Sequence, residues 1–575
     1  MSSITLQRRS VPECALPETI PPLLRRIYQA RGISSADQLD HSANRLHHVR
    51  SLAGIEQAVQ LLAFALQHDE RITIVGDFDA DGATSTALCV LALKRFGHHN
   101  VGYLVPNRFE TGYGLTPPIA EMAAEQGTQL LITVDNGVSA ISGVQRAKEL
   151  GMKVLVTDHH LPGEQLPNAD AMVNPNLHAC QFPSKNLAGV GVAFYLMAAL
   201  RQHLAEQPWY QRPAVNLAEL LDIVAVGTVA DVVALDHNNR ILVNQGLQRI
   251  RAGRCRPGIK ALCQVAKRNP QQLQASDLGF AVGPRLNAAG RLDDMALGIE
   301  CLLAESDEHA LAMAQQLDEL NLARRDIERG MEQEALRALD KLLGDADFSE
   351  LPPVLCLYQA DWHQGVIGIL AARVKERFHR PVLAFAGDDN GMLKGSARSV
   401  TGVHMRDMLA ALDTKFPGLI DRFGGHAMAA GLSISAQDMD AFQQALSQVA
   451  TDWVDEAHLN HVLHTDGELA ADEFSLSTAQ LLRDSGPWGQ AFPEPIFDGI
   501  FRIVQQRIVG ERHLKLVLQP KGQHQVFDAI AFNVDTGEWP NAAANLAQVA
   551  YQLDINEFRG KTQLQLMVKS ITAVA

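Results

Sequence analysis

The chain has 575 residues, too many for one hydrophobic core, so three or four domains are expected. Apolar residues make up 47% and charged residues 20%, an ordinary globular balance. No apolar run reaches the ~18 residues of a membrane span. The net charge of −15 argues against a simple nucleic-acid coat protein, and seven scattered cysteines without CxxC pairs fit a reducing cytoplasm better than structural zinc.

Residues 1–50 read as an irregular or helical lead-in, with no apolar stretch after the first arginines to mark a secretory signal. Helical spacing at Ile55, Val59, Leu62 and Leu66 precedes the apolar run Ile72-Thr73-Ile74-Val75. Then comes Gly76-Asp77-Phe78-Asp79-Ala80-Asp81-Gly82, followed by a predicted helix over 83–96, stopped by Gly97. Further strands are predicted at 101–105, 130–134 and 154–157, with helices between them. That alternation predicts a parallel sheet with helices on both faces. Residues 240–268 hold Arg240, Arg249, Arg251, Arg254, Arg256, Lys260, Lys267 and Arg268 and no acid, which reads equally as a solvated helical face or a local basic path. Residues 306–343 form one long polar helix interrupted only by Gly330, of a length that bridges two lobes. A second α/β region spans 352–450, a polar stretch 451–475, and a Gly/Pro-rich turn region 486–495. Five alternating stretches in 496–575 fit a small barrel of the oligonucleotide-binding (OB) type or a generic β-domain. The tail's Arg502, Arg507, Arg512, Lys515 and Lys521 would suit a groove that follows a single strand.

Three acidic clusters each follow a predicted strand: Asp77, Asp79 and Asp81; then Asp135; then Asp158, His159 and His160. Ligands of open parallel sheets gather at the carboxyl ends of strands, so these clusters converge on one edge. Packed carboxylates repel one another, and two divalent cations remove that cost. Oxygen donors suit Mg²⁺ or Mn²⁺, and an added imidazole favours Mn²⁺. Two ions ~4 Å apart clamp both oxygens of an in-line phosphoryl displacement, with Asp135 as the bridging candidate. A calcium loop of the EF-hand type is excluded, because no helix precedes the motif and no glutamate stands at its twelfth position.

At these residues the sequence resembles the DHH phosphoesterase superfamily. The order Asp-x-Asp-x-Asp-Gly, Val134-Asp135-Asn136-Gly137, Asp158-His159-His160 and Gly227-Thr228-Val229-Ala230-Asp231 matches its four motifs. Gly424-Gly425-His426-Ala427-Met428-Ala429-Ala430-Gly431 is similar to the DHH-associated domain. Gly283 to Arg291 (GPRLNAAGR), Trp362 to Ile369 and the tail resemble the branch of single-strand-specific 5′→3′ exonucleases. The resemblance implies an α/β, two-lobed core with a C-terminal OB-like β-barrel: lead-in 1–50, DHH domain 51–305, connecting helix 306–345, DHH-associated domain 346–455 and OB domain 456–575.

It also implies roles. Asp79, Asp81, Asp135, His159 and Asp231 would ligate two Mn²⁺ or Mg²⁺ ions, with Asp77 a further ligand or an outer-sphere partner and His160 on the scissile phosphate. An isolated acid in the apolar run around Asp231 is costly unless paired or metal-bound, which supports its place independently. Val75 stands where many relatives carry a histidine, so one ion is expected to be less fully ligated. Arg108, Arg285 or Arg291, Ser396 and Arg398 would hold a 5′-phosphate, since arginine forks suit phosphate. Gly424 and Gly425, beside His426, would let backbone approach it. Tyr113 and Phe109 could stack on bases. The implied activity is two-metal hydrolysis of single-stranded DNA, releasing nucleoside 5′-monophosphates in repair and recombination. A single-strand-binding protein and a helicase would be partners, and the chain would act as a monomer away from membranes. The alternatives are an oligonucleotide or cyclic-dinucleotide phosphodiesterase of the same superfamily, or a non-catalytic replication scaffold.

Overall fold

The computed structural model describes residues 4–13, 16–107, 112–343, 351–388, 391–558 and 560–574. Two compact units emerge: Val11–Asn321 with Gln480–Pro495, and Met1–Ser10 with Leu322–Ala479 and Ile496–Ala575. The lead-in is therefore not one piece. Its strand β1 (Thr5–Arg8) pairs in parallel with Val462–Thr465 and belongs to the later unit.

The first unit is built on a parallel sheet. Its strands are β2 (Ile72–Val75), β3 (Val101–Leu104), β4 (Leu130–Val134), β5 (Lys153–Thr157) and β6 (Ala171–Val173), in the order β3-β2-β4-β5-β6. Every residue of β2 and β4 is buried, as a sheet covered on both faces requires. On one face Val75, Leu131, Val154 and Val156 pack with Ile119, Ala123 and Val144 of the helices Pro117–Glu125 and Ile141–Glu149. The helix Ala80–Arg95 packs against the helices Gly189–Ala205 and Leu221–Ala230. The chain leaves β2 for β3 on one side and reaches β4 on the other, so the strand order reverses between β2 and β4. In open parallel sheets a ligand crevice lies at the carboxyl ends of such a pair.

The cation-rich stretch 240–268 is not a free basic path. Arg240 is buried, donates to the carbonyls of Leu235 and Gln38, and lies 4.3 Å from the Phe492 ring centre. Arg251 donates to Leu273 O, Arg256 to Leu302 O and Arg249 to Arg254 O, while Lys260 pairs with Asp307. Most of these cations thus serve helix ends and corners rather than a strand of phosphates.

The helix Asp307–Leu343 runs from the first unit into the second. There, β7 (Leu355–Gln359), β8 (Val382–Gly387), β9 (Met392–Arg398), β10 (Arg422–Gly425) and β11 (Ala429–Ser435) form a sheet in the order β10-β11-β9-β8-β7. Phe385, Leu393, Leu432 and Ile434 pack with Leu409 and Phe442 in its core. β12 (Val462–Thr465) is the partner of β1. The tail closes as a five-stranded barrel of β13 (Phe497–Val509), β14 (His513–Pro520), β15 (Phe527–Ala531), β16 (Leu546–Phe558) and β17 (Lys561–Val574), in the order β13-β14-β15-β17-β16. Only β15 and β17 pair in parallel there, and β13 (at Val504) and β17 (at Lys569) each carry an extra residue that helps them curve. This is the OB-like barrel expected from the alternation. Among the described residues no single helix is long and apolar enough to cross a membrane.

Candidate metal centre

The centre sits on the loops that leave β2, β4 and β5. After β2 the chain turns straight into a helix that begins at Ala80, three residues earlier than the predicted 83. Asp79 is its N-cap, with Oδ1 accepting from the amides of Asp81 (2.9 Å) and Gly82 (3.0 Å). Asp81 therefore lies in the helix's first turn. Its Oδ2 accepts from Gly189 N (2.6 Å) and its Oδ1 from Val190 N (3.0 Å), at the start of the helix Gly189–Ala205. Helix N-termini favour a carboxylate, so Asp81 is held by its own helix and by a second one.

Asp135 follows β4 in the left-handed region, at φ +61°. A Cβ on Gly189 would stand 2.6 Å from the Asp135 Cβ, so the bare glycine admits this aspartate. The fully buried Asn136 ties the switch point together. Its amide donates to Val75 O (3.0 Å) and Val134 O (2.9 Å), and its Oδ1 accepts from Leu115 N (3.1 Å). Tyr113, two residues before Leu115, is half exposed, with its hydroxyl donating to Asp135 O (3.3 Å) and its ring edge-on to Phe78 and His160. Asp231 comes directly after the helix Leu221–Ala230.

These groups meet. His159 Nε2 lies 3.1 Å from Asp135 Oδ1, 3.5 Å from Asp231 Oδ2 and 4.0 Å from Asp81 Oδ2. Two ligand sets result, Asp81–His159–Asp231 and Asp77–Asp79–Asp135, each with its donor atoms within 4.8 Å of one another. Asp135 also forms a set with His159 and His160, which suits it to be shared.

The electrostatics favour a cation. Burial, and then the charge of Asp79, push the Asp81 carboxyl up to about 7. Burial and the neighbouring aspartates raise Asp135 and Asp231 well above the carboxylate range. Asp135 Oδ1 and Asp231 Oδ2 are buried and receive no hydrogen bond among the described residues. Buried oxygens of this kind, among acids and one imidazole, fit Mn²⁺ or Mg²⁺.

Asp158 behaves differently. Burial works to raise it, but His160, through a 2.7 Å Nδ1 contact and its charge, and the Val138 amide outweigh burial and bring it below the usual range. His160 is raised in turn: Asp158 outweighs the effect of burial. Asp158 thus orients His160 instead of joining the ligand sets. Asn174 donates to His160 O (2.9 Å) and Asn176 to His159 O (2.6 Å), pinning the backbone of both histidines. Asn287 Oδ1 accepts from Ala80 N (2.8 Å). Reading the motifs gave none of these asparagines a role.

The expected phosphate residues fall out unevenly. Arg108 and Phe109 lie outside the described residues. Arg285 is buried, with its guanidinium 2.8 Å from Asp318 Oδ1 and donating to Ala281 O (2.7 Å). Arg291 lies in the last turn of the helix Gly283–Leu292. In the second unit, β9 presents Lys394, Ser396 and Arg398 on one face. Arg398 Nη1 donates to Ser396 Oγ (3.1 Å) and Ala397 O (2.8 Å), and burial lowers its pKa. No carboxylate pairs with it among the described residues. The Cβ position of Gly368, in the first turn of the helix Ile367–Phe378, is 2.9 Å from both Arg398 Nη2 and Ser396 Oγ. An unpaired arginine, a hydroxyl and a helix N-terminus together form a ready anion site. Ser396 is in register with Gly431, and Gly431 with Gly424. A Cβ at Gly424 would meet nothing within 4 Å, whereas at Gly425 (φ +140°) it would strike Ala429 O at 2.4 Å. Gly425 is thus required by the turn, in which His426 N donates to Ala429 O, while Gly424 leaves open space above the sheet.

Three family models match the chain: the DHH family N-terminal domain over residues 71–228, the DHHA1 domain over 351–452 and the RecJ OB domain over 465–570. The chain is 56% identical over 572 residues to the single-stranded-DNA-specific exonuclease RecJ of Escherichia coli (strain K12), covering 99% of each. It is 30% identical over 562 residues to the Bacillus subtilis (strain 168) protein of the same description, covering 96% of this chain and 68% of that one. Among solved structures, RecJ of Thermus thermophilus in complex with Mn²⁺ superimposes with a TM-score of 0.81 at 28% identity, covering 100% of this chain and 80% of that one. The Mg²⁺ complex of that protein gives 0.76 at 26% identity, covering 100% and 79%.

Proposed function

The chain belongs to the RecJ family, and on that premise we propose that it is a single-stranded-DNA-specific exonuclease that works from the 5′ end with two divalent ions, Mn²⁺ or Mg²⁺. The observation that carries this reading is the gathering of Asp77, Asp79, Asp81, Asp135, His159 and Asp231 at one switch point, where Asp135 Oδ1 and Asp231 Oδ2 are buried without a hydrogen bond among the described residues. Asp81, His159 and Asp231 would hold one ion, Asp77 and Asp79 the other, and Asp135 would be shared. Bound there, the ions supply charge neutralisation and Lewis acidity for in-line displacement at phosphorus.

The chain's own residues do the rest. Asp158 keeps His160 oriented, so its Nε2 can donate to a phosphate oxygen as negative charge grows there. Asn174 and Asn176 hold both histidines in place. Ser396 and Arg398 would take the 5′-phosphate, and the open space over Gly424 would admit it to the sheet. Arg108 and Arg291 are further candidates for the same phosphate. The half-exposed Tyr113 would stack on a base beside the centre. Release of nucleoside 5′-monophosphates follows from breaking the bond between phosphorus and O3′ of the terminal nucleotide. Action as a cytoplasmic monomer beside a single-strand-binding protein and a helicase, in repair and recombination, is part of the same proposal.

The test uses single strands labelled at either end, with Mn²⁺ or Mg²⁺, beside Asp81→Ala. Labelled mononucleotide should appear at once from the 5′-labelled strand and late from the 3′-labelled one, and the variant should release neither. Early release from the 3′ label, or an active variant, overturns the reading. A preference for dinucleotides over long strands would favour the small-substrate phosphodiesterase instead.

A further inference from the structure

Phe280 is 80% exposed, the most exposed large apolar side chain among the described residues. A lone exposed ring is ordinary on a protein surface and gains meaning only from its setting. Its segment, Leu278–Val282, is a π-helical turn leading into the helix Gly283–Leu292. Such turns are uncommon and cluster at functional sites.

The turn is seated firmly. A Cβ on Gly279 would lie 3.2 Å from Val229 Cγ1, and one on Gly283 would lie 3.0 Å from the Ala230 Cβ. Leu278, Ala281 and Val282 are buried, and Ala281 O accepts from Arg285. Phe280 alone points out. Val229 and Ala230 are the two residues before Asp231, whose Oδ2 is 3.5 Å from His159 Nε2. The ring is therefore carried on the element packed against the corner that supplies Asp231. Val232, on that corner, is also exposed, at φ +61°.

We propose that Phe280 is a base-stacking residue, which takes the face of an unpaired nucleobase of the strand held at the metal centre. The inference rests on the single-stranded-DNA reading above. Stacking on an aromatic ring tolerates any base, as an exonuclease needs. The packed turn places the backbone of Phe280 before the strand arrives, so little backbone ordering is lost on binding.

The experiment compares wild type with Phe280→Ala, Phe280→Leu and Phe280→Tyr on single strands of mixed sequence, and follows 2-aminopurine placed at successive positions, bound with Ca²⁺ in place of Mn²⁺. Phe280→Ala should raise KM about tenfold, restore fluorescence at one 2-aminopurine position, and leave the Mn²⁺-induced rise in melting temperature unchanged. Tyrosine should restore wild-type behaviour, and leucine, similar in bulk but without a π face, should not. Wild-type KM and quenching in Phe280→Ala, rescue by leucine, or loss of the Mn²⁺ shift would each overturn the proposal. Failure of the wild type itself to degrade single strands would instead overturn the functional reading beneath it.

Discussion

Removing divalent ions should make the protein's stability fall steeply as pH rises, and adding Mn²⁺ should abolish that fall. The Asp81 carboxyl is fully buried and titrates at about 7 in the folded chain, against 3.8 when free. Above pH 3.8 the unfolded chain has lost this proton while the folded chain still holds it. Stability therefore drops across the window from 3.8 to about 7 and stays low above it. The whole window is worth about 4 kcal/mol, and the part between pH 5 and 8 about 3 kcal/mol, or roughly 4 °C of melting temperature for the unit of about 330 residues that holds the site. Asp135 and Asp231 are displaced the same way and add to the loss. His160, raised by Asp158, contributes a slope of the same sign at higher pH. Asp81→Asn, which cannot ionise, isolates the Asp81 share. The assay is thermal melting from pH 5 to 8.5 in EDTA and in saturating Mn²⁺, for wild type and Asp81→Asn. At ~100 times its dissociation constant one ion returns about 2.7 kcal/mol. A flat EDTA curve, parallel curves with and without Mn²⁺, or an unchanged slope in Asp81→Asn would refute the claim that these carboxylates are held together against their own repulsion.

Gly290→Ala should be severe, because the new Cβ would fall 1.8 Å from Phe78 O and push the helix Gly283–Leu292 off the aspartate loop; nuclease assays should show at least a hundredfold loss, and near-normal activity would refute the close approach. Replacing the exposed Arg502, Arg507 and Arg512 by glutamine should weaken single-strand binding and lower the slope of log K against log salt by about 0.7 for each lost phosphate contact. The Mn²⁺-dependent melting shift should not change. Asp498→Ala should cost the barrel unit about 1–3 kcal/mol in urea unfolding, since it leaves the buried Thr465 hydroxyl and Arg8 without their shared acceptor; a cost below ~0.5 kcal/mol would show that β1 is tied down by its backbone pairing alone.

The legible parts of this fold were those with a local signature. β2 and β4 stood out because both faces are buried and the strands read as continuous apolar runs. The barrel stood out through strict alternation, as in β14 and β15. β6 has three residues between polar neighbours and gave no pattern. β1 has its partner more than 450 residues away in a parallel pairing, which needs no adjacent turn to announce it. The helix after β2 starts earlier than its apolar periodicity announces, because Asp79 caps it and Asp81 sits in its first turn.

The site divides along the same line. Side chains that must converge betray themselves when each follows a strand, and Asp77, Asp79, Asp81, Asp135 and His159 did so. Side chains that act by holding a backbone carbonyl leave no trace in residue type. Asn174 and Asn176 flank a proline and read as a turn, yet each grips a carbonyl of the histidine pair. The arginines of 240–268 fail for the converse reason: charge shows in sequence, but whether a guanidinium meets a phosphate or the end of a helix depends on what packs behind it. The decisive fact, the reversal of strand order between β2 and β4, is visible in no single motif. It explains why Asn136 can reach the carbonyls of Val75 and Val134 together, and why Asp135 takes a left-handed backbone against Gly189. A backbone of that kind costs of order 1 kcal/mol and persists only where its surroundings enforce it. The same packing that enforces it also brings a fourth carboxylate, itself buried, among Asp77, Asp79 and Asp81, so the strain and the repulsion have one source, and the ion that relieves the repulsion is what makes the arrangement worth keeping.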